Sequence, residues 1–260
     1  SVTVKGNSTI NGDIEVSRSA NNTKDVKLAL ESGTISGKLK IDSSIKNSTA
    51  TTTVTKGGNV TVAAPVGYAW SAEGTLVAAV AQIGENGYVT LAAAIAAAED
   101  GNTVQLLADS TEDVTIDKNI TLDLGGKTLT NTNAGKATIS VDNGVTATAK
   151  NGSVVGGTSF YNIQVGKAVN STANLTLENV TATAGNTGSS MIDNWGTLTI
   201  ESGTYEGGLN VVKSEEGSKL TINGGKFTLN HAVSNNYNGV ILSAGMTKIT
   251  DGEFIQNATT

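Results

Sequence analysis

The sequence predicts an all-β solenoid, a single-stranded parallel β-helix with a short capping helix near residues 91–99. Three observations carry this. A phrase of the form Leu-Thr-Ile-polar-x-Gly-x-aromatic returns along the chain, most clearly at Leu198–Tyr205 and Leu220–Phe227. Its glycine position, taken at 152, 180, 203, 225 and 252, recurs at intervals of 28, 23, 22 and 27 residues. Apolar residues inside each copy alternate with polar ones, the period of a strand and not of a helix.

Periods of this length mark one supersecondary unit that buries its apolar face only by stacking on its neighbours. The expected inward columns are Leu28/Leu30, Ala147/Ala149, Leu175/Leu177, Leu198/Ile200, Leu220/Ile222 and Thr247/Ile249, joined two residues past the marker by Ile35, Val154, Ala182, Tyr205, Phe227 and Phe254. The intervening Thr148, Thr176, Thr199, Thr221 and Lys248 are expected to face out. A leucine-rich solenoid needs a helix per repeat, and a propeller needs four strands per blade; neither fits the spacing.

Composition agrees. The chain has 260 residues with 31 Gly, one Pro, no Cys and 4% aromatics, and its net charge is −6. Arg18 is its one arginine and no basic run occurs, which argues against nucleic acid as a partner. No apolar stretch reaches the ~18 residues of a membrane span. The absence of cysteine excludes thiol chemistry and leaves the compartment open. The chain opens and closes in strand-like alternation, so it reads as a piece of a longer protein.

Three segments are expected: 1–62 as terminal coils of a first stack, 63–90 as a linker or cap holding Pro65 and Trp70, and 91–260 as a second stack. Thr90 is an apt N-cap for an alanine-rich helix whose Leu91, Ile95 and Ala98 share a face, with Gly101 as its stop. An uncovered end coil exposes its interior, so a helix placed there serves as a cover.

The run Leu91-x3-Ile95-x-Ala97-Ala98-x-Asp100-Gly101-x-Thr103-Val104, followed by Ile120-Thr121-Leu122-Asp123-Leu124-Gly125-Gly126-Lys127, resembles the opening of a pectate-lyase-like β-helix and implies a right-handed, single-stranded parallel β-helix. The tandem Leu-Thr-Ile-x-x-Gly-x-Tyr/Phe units resemble modules of large adhesin-like surface proteins of Gram-positive bacteria, and Gly67-Tyr68-x-Trp70-x3-Gly74-Thr75 is similar to a linker between such modules. The resemblance implies an extracellular, cell-surface protein. It does not decide function, because that superfamily holds both polysaccharide-cleaving enzymes and non-enzymatic adhesins.

The residues offer little to catalysis. The lyases of the fold need a Ca²⁺-binding carboxylate group and a basic residue, commonly arginine; the hydrolases carry paired aspartates, Gly-His-Gly and Arg-x-Lys strings that are absent here. His231 is the sole histidine and has no Cys or acidic neighbour, so it forms neither a metal site nor a triad. No cofactor is expected.

The remaining candidates are binding residues. Glu178 and Glu201 share an outward column with Glu31, Lys150, Asn223 and Thr250, and stacking in order sets them on adjacent strands about 5 Å apart. Such a pair suits glycoside cleavage or a cation. The alternative is a solvated face on which Lys150 pairs with Glu178, worth at most about 1 kcal/mol. Asp109, Glu112, Asp113 and Asp117 form an acidic group that could take Ca²⁺, though without a recognised loop spacing. Tyr205, Phe227 and Phe254 read as a stacked core more than a ligand platform. The threonine column is one residue wide and flanked by charge, unlike an ice-binding face. Trp195, in a turn, is the aromatic to test for recognition. The expectation is a non-enzymatic adhesive or stalk module that binds an extracellular glycan or a host protein; the alternative is a polysaccharide lyase or glycoside hydrolase of this fold.

Overall fold

The computed structural model describes residues 1–18, 21, 23–42, 50–230 and 238–257. The chain divides into two compact units, Ser1–Val89 and Thr90–Thr260. The expected His231 lies outside the described residues.

In the first unit, parallel ladders join Val2–Val4 to Val26–Leu30 and on to Thr52–Lys56, Thr9–Ile10 to Thr34–Ile35, and Ile14–Val16 to Leu39–Ile41. Leu28, Leu30, Ile35, Leu39 and Val54 fill the interior with Val60 and Val62. The segment with Pro65 and Trp70 belongs to this unit and forms two antiparallel hairpins, Tyr68–Trp70 with Leu76–Ala78 and Ala81–Ile83 with Asn86–Tyr88. Trp70 lies against the same interior and its Nε1 donates to Val62 O at 2.9 Å.

The second unit is a β-solenoid in which each coil has three parallel faces. The first face runs through Thr103–Leu106, Thr121–Asp123, the start of Thr146–Val155, the start of Asn174–Thr183, Thr197–Ile200, Lys219–Ile222 and Met246–Ile249. The second face includes Thr128–Thr130, Gly203–Glu206, Lys226–Leu229 and Glu253–Gln256. The third is formed by Val114–Ile116, Ile139–Val141, Ile163–Val165, Ile192–Asn194, Val212–Ser214 and Ile241–Ser243.

Register follows the repeated phrase. Leu175 stands opposite Leu198 and Leu198 opposite Leu220; Leu177, Ile200 and Ile222 form the next rung. These side chains are buried, each contributing about 1.5–3 kcal/mol by leaving water. Thr148, Thr176, Thr199 and Thr221 lie half-buried on the outer side. The last described coil keeps this register, with Ile249 opposite Ile222 and Phe254 opposite Phe227, while Ile249 and Phe254 are 47% and 38% exposed.

The corner between the first and second faces is turned in two ways. Where the phrase carries its glycine, at Gly203 and Gly225, φ is 132° and 113°, values that favour residues without a Cβ. A Cβ on Gly203 would stand 2.2 Å from Val180 O. The coil in which Val180 takes the glycine's place moves the positive φ one residue earlier, to Asn179 at 53°, and the preceding coil does the same with Asn151 at 57°. Asparagine tolerates the left-handed region because its short side chain bonds locally. These two coils accordingly carry unbroken ten-residue strands, Thr146–Val155 and Asn174–Thr183.

The helix spans Leu91–Ala97 and starts as its sequence predicts, with Thr90 Oγ1 accepting from Ala93 N at 3.0 Å. Leu91, Ala94 and Ile95 are its buried residues, and it lies against Thr103–Leu106 and Val114–Ile116. It ends before the expected stop: Ala98 is already extended, and Gly101 (φ 85°) serves the turn that follows. No helix among the described residues is long and apolar enough to cross a membrane.

Candidate functional site

The acidic group near the helix has structural partners for each carboxylate. Glu112 accepts from the first helical amides, Leu91 N at 2.8 Å and Ala92 N at 2.9 Å, so it occupies the anion position of a helix start. Asp109 accepts from Thr128 N at 2.8 Å, Asp113 pairs with Lys136 at 3.0 Å, and Asp117 pairs with Lys118 at 3.3 Å. Lys118 also donates to Ile95 O and Ala96 O at the helix's other end. Among the described residues, no group of three or more His, Asp or Glu side chains stands close enough to hold a metal ion.

Glu178 and Glu201 are exposed and occupy the outer corner of neighbouring coils, following the register that sets Leu177 opposite Ile200 and Val180 opposite Gly203. Lys150 stands opposite Glu178, yet the two close no ion pair within 4.0 Å. Glu201 instead accepts from Asn223 Nδ2 at 3.0 Å, and Asn223 Oδ1 accepts from Thr250 at 3.0 Å. The corner is thus a ladder of polar contacts between coils. Trp195 lies at the opposite end of the strand Thr197–Ile200, about 20 Å of extended backbone from Glu201. The three candidates do not form one site.

Trp195 leads to a different cluster, on the outer side of the third face. In the strand Ile192–Asn194, Ile192 joins the interior column of Ile139, Ile163 and Val212, so Asp193 points the other way. Its outward column reads Thr115, Ser140, Gln164, Asp193, Lys213 and Leu242, each about 4.8 Å from the next. Asp193 is nonetheless wholly buried. The long connections between the second and third faces lie on one another beside this column: Asn186 Nδ2 donates to Gly157 O at 3.1 Å and Phe160 O at 2.9 Å.

The Asp193 carboxylate orients two neighbours through one oxygen. Oδ2 accepts from Trp195 Nε1 at 2.8 Å and from Gln164 Nε2 at 3.2 Å. Oδ1 is buried and has no hydrogen-bond partner. Burial pushes the Asp193 carboxyl above the usual carboxylate range, against the opposite pull of the Gln164 and Trp195 bonds. Burial also raises the Tyr161 phenol, with Asp193 adding to the effect. For Lys213, burial disfavours the charge, but the bond to Glu215 and the nearby Asp193 outweigh it and the ammonium is raised overall.

Two hollows flank this cluster. One, of about 370 Å³, takes in Lys136, Ser140, Phe160, Gln164 and Lys167; the other, of about 210 Å³, takes in Tyr161, Ser189, Asn210, Lys213 and Leu242. Phe160 and Tyr161 stand between them with ring centroids 4.6 Å apart and planes inclined by 59°. The arrangement offers half-buried aromatic faces, hydroxyls, amides and the ammonium groups of Lys136, Lys167 and Lys213 beside a column at strand spacing. It suits binding by stacking and hydrogen bonds. Wholly buried, Asp193 acts on this surface through the neighbours it holds, Trp195 and Gln164.

Sequence reasoning named Trp195 but missed Asp193, Gln164, Tyr161 and Lys213. The available signal was the alignment of Ile139-Ser-Val, Ile163-Gln-Val, Ile192-Asp-Asn and Val212-Lys-Ser as a third ladder. The chain matches no family model, no curated protein and no solved structure.

Proposed function

We propose that this chain is a non-enzymatic binding module, an adhesive or stalk segment of an extracellular bacterial surface protein, whose partner is an extended glycan or a host protein. The observation that carries the reading is the half-buried Trp195 indole held by the buried Asp193, beside the hollows that flank the third face. An aromatic fixed in advance loses little freedom on binding, and a row of polar groups at regular spacing fits a ligand that is itself repetitive. The extracellular, cell-surface part of the reading draws on the resemblance of the Leu-Thr-Ile-x-x-Gly-x-Tyr/Phe units to Gram-positive surface modules.

The test is a glycan array together with pull-downs from cell-surface extracts, using the 260-residue chain and its Trp195→Ala and Tyr161→Ala variants. The reading expects a retained glycan or protein and a loss of at least tenfold in affinity for Trp195→Ala. Retention that is unchanged in both variants, or no retention at all, would overturn the binding role. Release of reducing or unsaturated sugars from a polysaccharide would overturn the non-enzymatic one.

A further inference from the structure

Asp193 is, among the described residues, the one acidic side chain that is wholly buried, and half of its carboxylate is unused. The residue opposite it on the next coil is Lys213, whose ammonium is paired with Glu215. The charged or titratable groups that bear on Asp193 are Tyr161, from the segment before Ile163–Val165, Lys213, on the adjoining strand, and Glu215, just beyond that strand. Its hydrogen-bonding neighbours, Gln164 and Trp195, do not titrate.

A neutral carboxyl is tolerated in such a place, with its proton on Oδ1 and both bonds to Oδ2 retained. An ionised one leaves a buried charge with a bare oxygen, a costly state unless a counter-charge or water reaches it. Lys213 is the cation on the neighbouring strand, one strand spacing away and on a long flexible stem. We propose that Asp193 is a proton-operated latch: protonated, it stays buried and holds Trp195 and Gln164 in place; ionised, it draws Lys213 away from Glu215 and changes the surface presented around Trp195. Lys213 also lines the smaller hollow with Tyr161 and Leu242, so the exchange of partners reshapes that hollow as well. The raised Asp193 carboxyl and the raised Lys213 ammonium agree with this arrangement.

The latch concerns the surface assigned above to ligand binding, and its test needs no ligand, so its failure and that of the binding reading are distinguishable. The indole Nε1–H resonance of Trp195 is followed by NMR from pH 4 to 8 in the full chain, and is assigned by its loss in Trp195→Phe. The expected result is a single titration with a midpoint above 3.8, the ordinary aspartate value. It should vanish in Asp193→Asn, which keeps the shape and cannot ionise, and move to higher pH in Lys213→Met, which removes the counter-charge. A resonance that does not move with pH, or one that titrates unchanged in Asp193→Asn, overturns the proposal. A midpoint unaltered by Lys213→Met overturns the partner exchange.

Discussion

The rings of Tyr205 and Phe227 stack on neighbouring coils with centroids 5.0 Å apart and planes 12° from parallel. Phe254 extends the stack by a further 5.0 Å at 7°. The three lie one per coil on the inward side of the second face, and the Tyr205 hydroxyl donates to Ser202 O at 2.9 Å. Truncating the middle ring leaves a void with aromatic walls on both sides. Phe227→Ala is expected to destabilise the second unit by about 3–5 kcal/mol, and Phe227→Leu by about 1 kcal/mol, in urea unfolding followed by circular dichroism.

Gly203 is expected to resist even the smallest side chain. Its φ of 132° and the 2.2 Å from its notional Cβ to Val180 O both exclude alanine without a shift of the ladder. Gly203→Ala should cost about 2 kcal/mol or more. Gly135→Ala is the control, since its nearest atom would be 3.8 Å away; it should change stability by less than about 0.5 kcal/mol. Thermal unfolding of the two variants side by side checks this.

Glu112 anchors the helix to the coil below it. Glu112→Ala removes two charge-assisted bonds to Leu91 N and Ala92 N, and is expected to cost about 2 kcal/mol. Hydrogen exchange at residues 91–97 should accelerate much more than exchange in the strand Lys219–Ile222, far along the same unit.

Asp193 sets a pH dependence whose sign follows from its raised carboxyl. The folded state binds this proton more tightly than the unfolded state does. The stabilisation is therefore complete below the unfolded value near 3.8 and is lost as pH rises through the higher folded value. Asp193→Asn mimics the neutral carboxyl and lacks that loss. The variant should match the parent in Tm at pH 3.5 and exceed it at pH 8, by about 2–4 °C for each kcal/mol recovered. Equal Tm differences at both pH values would refute the assignment.

Much of the fold was legible because the first and second faces repeat a long phrase. Leu175, Leu198 and Leu220 align by eye, and so do Leu177, Ile200 and Ile222. The third face was not read, because its strands are three residues long and sit between connections of unequal length. A run such as Val212-Lys213-Ser214 carries too few residues to display a period. The site shared that fate. An aspartate in an outward column reads as solvated, yet Asp193 is buried and bonded to Gln164 and Trp195. Val180 can replace the glycine because Asn179 carries the positive φ in its stead.

The register of the parallel ladders bears on how the chain acquires its structure. Hydrogen-bonded partners on the first face, such as Leu175 with Leu198 and Leu198 with Leu220, are only 23 and 22 residues apart, however many coils are stacked. No strand in this series waits for a distant part of the chain, so loop-closure entropy stays small and nearly constant from one coil to the next. Growth can then proceed one coil at a time, each completed rung templating its successor, in the order in which a ribosome would deliver them.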